Sequence, residues 1–435
     1  MTPLEIGFST VGAMLVLMAL RFPIGLSLGL VSVAGVWAIR GGDAALAMVS
    51  AAPFEVAAKW ELSAIPMFIL MGTLAHHSGL SAALFKAARL WLGGLPGGLA
   101  VATNFACAGF AAASGASTAT AAAMGRITVP EMLKYGYDKG LTTGVVAAGG
   151  TLGIMIPPSI GFVLYGIFAQ VSISKLLIAG ILPGLLTAFV YALMIMVRCW
   201  ITPSLAPRLK ERSGWAARFR ALAEIWPLLF LVLAVIGGIY AGIATPTEAG
   251  AVGAFIAFAI GVLQGRMSMR VFWESVTEAV STTARLFFIV IGAVLFSRLL
   301  ALAGVAPYLA ESVEGWSTDP ILLVIGASIL FIVLGMFLDA LGLMLLTLPI
   351  LLPMFMAANL DLIWFGVLTI KFIEIGLITP PVGLNVYVIK SVVGDTVPLE
   401  TIFRGVMWFI ACEAVIAFLL IAFPQISLFL PGLMD

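Results

Sequence analysis

Two proline pairs, each reached through the same spacing of landmarks, constrain this 435-residue chain more than any other feature. Pro130 leads to Gly153-Ile-Met-Ile-Pro157-Pro158, and Pro353 leads to Gly376-Leu-Ile-Thr-Pro380-Pro381. In both halves 27 residues separate the first proline from the pair, and one offset of 223 also carries Gly153 onto Gly376. A proline removes a backbone donor and crowds the preceding turn, so each pair interrupts a helix at a matched position. Interrupted apolar segments at corresponding places in two halves are the sequence mark of a binding site built at mid-depth in a membrane.

Composition supports the membrane setting. The chain is 62% hydrophobic and 10% charged, with a mean hydropathy of +1.17, whereas soluble domains are roughly 45–50% apolar. Apolar stretches of about 18 to 25 residues cross a hydrocarbon layer of roughly 30 Å as helices. This predicts an all-α polytopic membrane protein. A net charge of +1 gives no electrostatic case for nucleic acid. Cys107, Cys199 and Cys412 lie in separate apolar segments without pairing or ligand spacing and read as buried small hydrophobes. The first apolar run has no basic region before it and no small-residue cleavage pattern, so it reads as a retained span. No soluble domain is left over, so any partner that handles substrate in water is expected to be another chain.

Spans are predicted near 5–20 and 24–39, split at Arg21-Phe-Pro23, with an interfacial helix over 43–60 and a membrane segment over 63–75. Residues 97–130 are membrane-like yet crowded with Gly, Ala, Ser and Thr, and they break at Ser114-Gly-Ala-Ser-Thr118. The piece after the break, 118–129, spans only about 18 Å as helix, which predicts a re-entrant hairpin in place of two spans. A span over 139–156, the Pro157-Pro158 break and a half-helix over 159–169 follow, then spans near 176–199, 224–242 and 247–264 and a segment near 278–303. A second hairpin is predicted over 320–352, broken around Gly335-Met-Phe-Leu-Asp339-Ala-Leu-Gly342. A span over 362–378, the Pro380-Pro381 break, a half-helix to about 392 and a last span near 403–430 complete the chain. An offset of 225 aligns Gly79 with Gly304 and Thr73 with Arg298 upstream. Each half thus reads as helix, hairpin, span, Pro-Pro break and half-helix, and the three spans between the halves favour an inverted repeat. Arg198, Arg208, Lys210, Arg212, Arg218 and Arg220, against Glu211 alone, mark the 198–220 loop as cytoplasmic. The expected organisation is scaffold helices over 1–60, a first repeat over 61–175, connecting helices over 176–277, a second repeat over 278–393 and a C-terminal scaffold helix over 394–435.

Unpaired backbone in hydrocarbon costs several kcal/mol and survives only where it lines a cavity or binds something. Carbonyls at half-helix C-termini suit a desolvated cation such as Na⁺, and half-helix N-termini with hydroxyls suit a carboxylate. The first cation site is expected from Ser114, Gly115, Ser117 and Thr118 facing Gly149, Gly150, Gly153 and Pro157. The second is expected from Gly335, Asp339 and Gly342 facing Gly376, Thr379 and Pro380. Small residues also serve close helix packing, and capping of the second hairpin arm is the alternative, compatible reading of Asp339. Arg298 is the leading residue for an acidic substrate, because a guanidinium holds a carboxylate at two points; snorkelling to an interface is the alternative. Ser117, Thr118, Ser159 and Asn385 join it as substrate candidates, with Arg126 and Asn104 behind them. Glu374 lies three residues after Lys371, which a local ion pair explains. His76 and His77 read as marking a span end.

Ser114-Gly-Ala-Ser-Thr-Ala-Thr120, Gly125-Arg-Ile-Thr-Val-Pro-Glu-Met132, Gly150-Thr-Leu-Gly-Ile-Met-Ile-Pro-Pro-Ser159, Gly335-Met-Phe-Leu-Asp339 and Ile375-Gly-Leu-Ile-Thr-Pro-Pro-Val-Gly383 together resemble the large membrane subunit of tripartite ATP-independent periplasmic (TRAP) transporters, the DctM type. The resemblance implies an elevator-type secondary symporter of the bacterial inner membrane, with Na⁺ as coupling ion and no cofactor. It implies two partners, a small four-helix membrane subunit of DctQ type and a periplasmic substrate-binding protein of DctP type. It also implies cargo such as C4-dicarboxylates, sialic acid or other organic acids. A binding-protein-independent carrier of the divalent-anion or citrate type shares the broken-hairpin logic and stands as the alternative. An intramembrane hydrolase is disfavoured, since no Gly-x-Ser-x-Gly or His-Glu-x-x-His motif is present.

Overall fold

The computed structural model describes residues 1–20, 22–207, 214–316 and 320–434. Arg21 and residues 208–213 of the basic loop, with Arg208, Lys210, Glu211 and Arg212, lie outside the described residues. The described residues form helices joined by short turns, with no strand among them. Helix α1 (Pro3–Ala19) and α2 (Ile24–Arg40) are followed by α3 (Gly42–Ala58), α4 (Ala64–His77) and α5 (Leu80–Leu92). Then come α6 (Gly98–Ser114), α7 (Ser117–Lys134), α8 (Lys139–Met155), α9 (Ile160–Ala169), α10 (Ile173–Ala179) and α11 (Ile181–Ile201). The second half holds α12 (Trp215–Tyr240), α13 (Pro246–Leu263), α14 (Met269–Leu302), α15 (Val305–Trp316), α16 (Pro320–Gly335), α17 (Ala340–Ala357), α18 (Leu362–Ile378), α19 (Leu384–Val393), α20 (Leu399–Ala422) and α21 (Gln425–Leu428). Among the described residues six helices are long and apolar enough to cross a membrane, and two bent pairs would raise that number to eight.

The matched halves of the sequence become matched series of elements. Helix, short helix, hairpin, broken helix runs as α4, α5, α6/α7, α8/α9 in one half and as α14, α15, α16/α17, α18/α19 in the other. The turns into α5 and α15 use Gly79 and Gly304, both left-handed at φ 77° and 73°, which is why the offset of 225 paired two glycines. Pro157-Pro158 and Pro380-Pro381 both contain a cis peptide bond. The helices that precede each half pack against the other half: α2 lies along α14 and α13 along α4. Gly25 and Gly292 allow the first of these contacts, since a Cβ on Gly292 would stand 2.7 Å from the Gly25 carbonyl oxygen.

Four elements differ from the sequence expectation. Helices α5 and α15 were not anticipated; α5 is short, and its Lys86 and Arg89 interrupt the apolar run on which the expectation relied. Helix α14 starts at Met269, nine residues before the expected 278, and its 34 residues run for about 51 Å. Its first turns carry Arg270, Glu274 and Glu278 and therefore look like a loop to a hydropathy reading. The last expected span, 403–430, is α20 ended at Ala422, with Pro424 opening the short α21. Helix α20, expected as scaffold, packs along α8, where a Cβ on Gly405 would stand 2.0 Å from the Gly140 carbonyl oxygen.

Candidate functional site

Each hairpin tip meets the break of its own broken helix, and backbone atoms make the meeting. In the first half the turn between α6 and α7 uses Gly115 at φ 64°, a left-handed conformation that favours glycine. Its carbonyl accepts a hydrogen bond from the Ile160 N–H at 3.3 Å, just beyond Pro157-Pro158. In the second half the Met336 carbonyl accepts from the Gly383 N–H at 3.1 Å, just beyond Pro380-Pro381. Glycines let the backbones approach: a Cβ on Gly153 would lie 2.5 Å from the Ala116 carbonyl oxygen, and one on Gly376 would lie 2.7 Å from the Gly335 Cα. The facing of hairpin tip and broken helix read from the sequence is therefore present in both halves.

The first tip is lined with oxygen. Ser114 Oγ hydrogen-bonds Thr120 Oγ1, which donates to the Ala116 carbonyl at 2.9 Å. Ser159 caps α9, accepting from the Phe162 N–H at 3.3 Å while its hydroxyl donates to the Ile154 carbonyl. Pro157 is buried behind the tip. Asn385 of α19 reaches across from the second half, donating to Ser117 Oγ at 2.8 Å and to the Ala147 carbonyl at 3.1 Å. Its amide oxygen is buried and, among the described residues, without a hydrogen-bond partner. Thr118 is half-buried one position on.

At the second tip Asp339 caps α17, its carboxylate accepting from the Gly342 N–H at 3.1 Å. Gly342 is confined by Ile24 of α2, whose Cδ1 would be 2.3 Å from an added Cβ. Thr379, at the end of α18, donates its hydroxyl to the Ile375 carbonyl at 2.6 Å, beside the half-buried Pro380. The cap separates two roles experimentally. Asp339→Ala should lower stability by about 1 kcal/mol, whereas Asp339→Asn, an equally good cap, should not; the thermal midpoint of the purified protein measures both.

A cavity of about 280 Å³ opens onto the first tip, between α4, α14, the α6/α7 hairpin and Ile160. Gly72, Ser114, Arg126, His76, His77 and Glu278 are among its walls. His77 Nε2 and Glu278 Oε2 stand 2.9 Å apart, tying α4 to α14, and the Thr73 hydroxyl lies 3.2 Å from the Ser275 carbonyl one turn away. Arg298 is absent from these walls. It forms an ion pair with Glu55 of α3, because its place along α14 turns it towards that helix. The sequence reading thus missed Thr73, Glu278 and Thr282 as wall residues and took the histidines for a span end; no local signal joins positions some 200 residues apart.

A second polar cluster lies buried among α18, α11 and α20. Lys371 Nζ is 2.6 Å from Glu374 Oε2 and 3.0 Å from Glu413 Oε2, and it donates to Thr187 Oγ1 at 2.9 Å. The Tyr191 hydroxyl donates to Glu413. The local Lys371–Glu374 pair was legible from their spacing, whereas Glu413, Thr187 and Tyr191 were not.

Comparison with known proteins agrees with this architecture. The family described as "Tripartite ATP-independent periplasmic transporter, DctM component" matches residues 11–426. The C4-dicarboxylate TRAP transporter large permease protein DctM of Pseudomonas aeruginosa is 35% identical over 382 residues, covering 87% of this chain and 88% of that protein. The isethionate TRAP transporter permease protein DctMQ of Oleidesulfovibrio alaskensis is 35% identical over 421 residues, 94% of this chain, and this chain spans 64% of that protein's length. The solved YdaH transporter of Alcanivorax borkumensis shares the fold, with a TM-score of 0.63 at 14% identity over 88% of this chain and 89% of that one. The two TRAP relatives are transporter permeases and not enzymes. This chain belongs to the DctM component family of tripartite ATP-independent periplasmic transporters, a family of multi-pass membrane permeases.

Proposed function

We propose that the chain is the large permease of a Na⁺-coupled importer of a small organic acid in the bacterial inner membrane. A small four-helix subunit and a periplasmic substrate-binding protein that delivers the acid complete the system. The observation that carries this reading is the doubled contact of hairpin tip and helix break, with Ile160 N–H on the Gly115 carbonyl and Gly383 N–H on the Met336 carbonyl. Both hairpins re-enter the membrane on this reading, and the halves form an inverted repeat.

The donor set fits a hard monovalent cation. Serine and threonine hydroxyls and backbone carbonyls supply oxygen at the first tip, where Ser114, Gly115, Ser117, Gly153 and Pro157 would surround Na⁺. Gly335, Asp339, Gly342, Gly376, Thr379 and Pro380 would do so at the second. The acid would sit in the cavity beside the first tip, which Ser114 and Arg126 line. Ser117, Thr118, Ser159 and Asn385 are not among its wall residues and would act only by shaping the tip behind it. Arg298 is not carried into this proposal, since Glu55 already holds its guanidinium.

Movement of one body against another completes the mechanism. We assign α6–α9 and α16–α19, the hairpins and broken helices of the repeats 61–175 and 278–393, to the transport body. Helices α4 and α14 stay on the scaffold side, where α13 and α2 pack on them, and α11 and α20 travel with the transport body because they pack on α6 and α8. Helices over 1–60 and 176–277 otherwise form the scaffold. The interface between α4, α14 and the first hairpin is where an elevator would carry its cargo across.

Proteoliposomes holding this chain, its small subunit and its binding protein test the coupling. Uptake of the binding protein's cargo should collapse when the Na⁺ gradient is removed. Undiminished uptake without that gradient would exclude Na⁺ coupling, and uptake by this chain alone from free solution would exclude the tripartite arrangement.

A further inference from the structure

The cavity beside the first tip carries an uneven set of charges. Its walls hold one carboxylate, Glu278, and one guanidinium, Arg126, together with the imidazoles of His76 and His77. Glu278 is committed to His77. Arg126, exposed on the open side, makes no hydrogen bond or ion pair among the described residues. His76 is held edge-on against Phe110, with ring centroids 5.9 Å apart.

Helical geometry clears a path beside Arg126. Ala119, Ala122 and Ala123 precede it by seven, four and three residues on α7, so they share its face, and all three line the cavity. Methyl side chains there leave open the space between the guanidinium and the hairpin tip, where Ala116 and Ser114 complete the wall. Ile69, Phe110 and Ile160 add apolar surface, and Thr73 of α4 and Thr282 of α14 add two hydroxyl residues to the walls. A ligand therefore meets one unopposed guanidinium at one end and alanine methyls, apolar side chains and a serine hydroxyl at the other. A second carboxylate would find no second fixed cation and would approach Glu278. The volume of about 280 Å³ lies at the lower edge of the roughly 300–1,000 Å³ typical of small-molecule sites, which suits an acid of a few carbons.

We infer that Arg126 reads the cargo's anionic group and that the cargo is a small monocarboxylate, its one carboxylate on the Arg126 fork and its short tail along Ala119 and Ala123 towards Ser114. This rests on the transporter reading above and narrows its substrate to acids with a single carboxylate. A planar guanidinium binds a carboxylate at two points and an ammonium does not, so arginine and lysine are distinguishable here.

The test uses the purified permease with its small subunit and three probes: pyruvate, 2-oxobutanoate and succinate. The two monoacids should raise the thermal midpoint in a saturable way, and succinate should not at equal ionic strength. Arg126→Gln should weaken the monoacid affinity about 10- to 100-fold, and Arg126→Lys should restore only part of it. Stabilisation by succinate equal to that by the monoacids, no shift with either monoacid, or an unchanged affinity in a monodisperse Arg126→Gln protein would each overturn the inference. Na⁺-driven uptake of the binding protein's cargo separates the two levels. Normal uptake by Arg126→Gln would remove the anion reader and leave the transporter reading standing, whereas absence of Na⁺-driven uptake in the unaltered complex would remove the latter.

Discussion

Replacing Lys371 with methionine is expected to destabilise the permease by about 3–5 kcal/mol, the cost of leaving a buried charge without its partner. Lys371 and Glu374 have side chains 0% exposed and Glu413 only 1%. No other ammonium or guanidinium lies within ion-pair distance of either carboxylate among the described residues. Loss of Lys371 would thus strand two carboxylates where α18 meets α11 and α20. Glu374→Gln leaves one ammonium against one carboxylate and should be tolerated. The triple variant Lys371→Met, Glu374→Gln, Glu413→Gln removes every charge and should recover most of the loss, since neutral replacement of a buried ion group is often harmless where breaking it is not. The temperature at which the detergent-purified protein ceases to be monodisperse reads all three. A Lys371→Met protein as durable as the unaltered one would show that the cluster does not hold these helices together.

The same cluster shows how far the sequence could be read. Lys371 and Glu374 lie one helical turn apart, so their pairing follows from local geometry. Glu413 is 42 residues away and Thr187 is 184 residues away, and only the packing of α20 and α11 against α18 brings them in. The tip contacts were legible for the opposite reason. Gly153, Pro157, Gly376 and Pro380 stand in local motifs that occur twice, and that repetition singles their contacts out from ordinary helix packing. Arg298 misled because an offset places a residue along an element but not around it. Thr73, its aligned counterpart, lines the cavity, while Arg298 turns to Glu55 on α3. The charged first turns of α14 concealed its first nine residues, so Glu278 stood at the very edge of the expected segment, where nothing marked it as a wall residue.

Gly153→Ala is expected to raise the Na⁺ concentration needed for half-maximal uptake about 5- to 150-fold while leaving membrane insertion intact. The added methyl would stand 2.5 Å from both the Ala116 carbonyl oxygen and Thr120 Oγ1. Neither neighbour can yield easily. One is backbone in the turn itself, and the other is a short side chain already hydrogen-bonded to Ser114 and to the Ala116 carbonyl. The hairpin tip must therefore withdraw from the broken helix, at an overpacking cost of about 1–3 kcal/mol. If Na⁺ binds only where tip and break meet, that cost appears in full as reduced affinity, which gives the stated range. Gly376→Ala should behave alike, since its methyl would meet the Gly335 Cα at 2.7 Å. Gly237→Ala on α12, where an added Cβ meets nothing within 4 Å, should leave Na⁺ dependence unchanged and controls for the loss of a glycine as such. Unaltered Na⁺ dependence in both Gly153→Ala and Gly376→Ala would mean that the cation is not held between hairpin and helix break. A shift in one alone would assign the coupling ion to that half, because each glycine closes a contact confined to its own repeat.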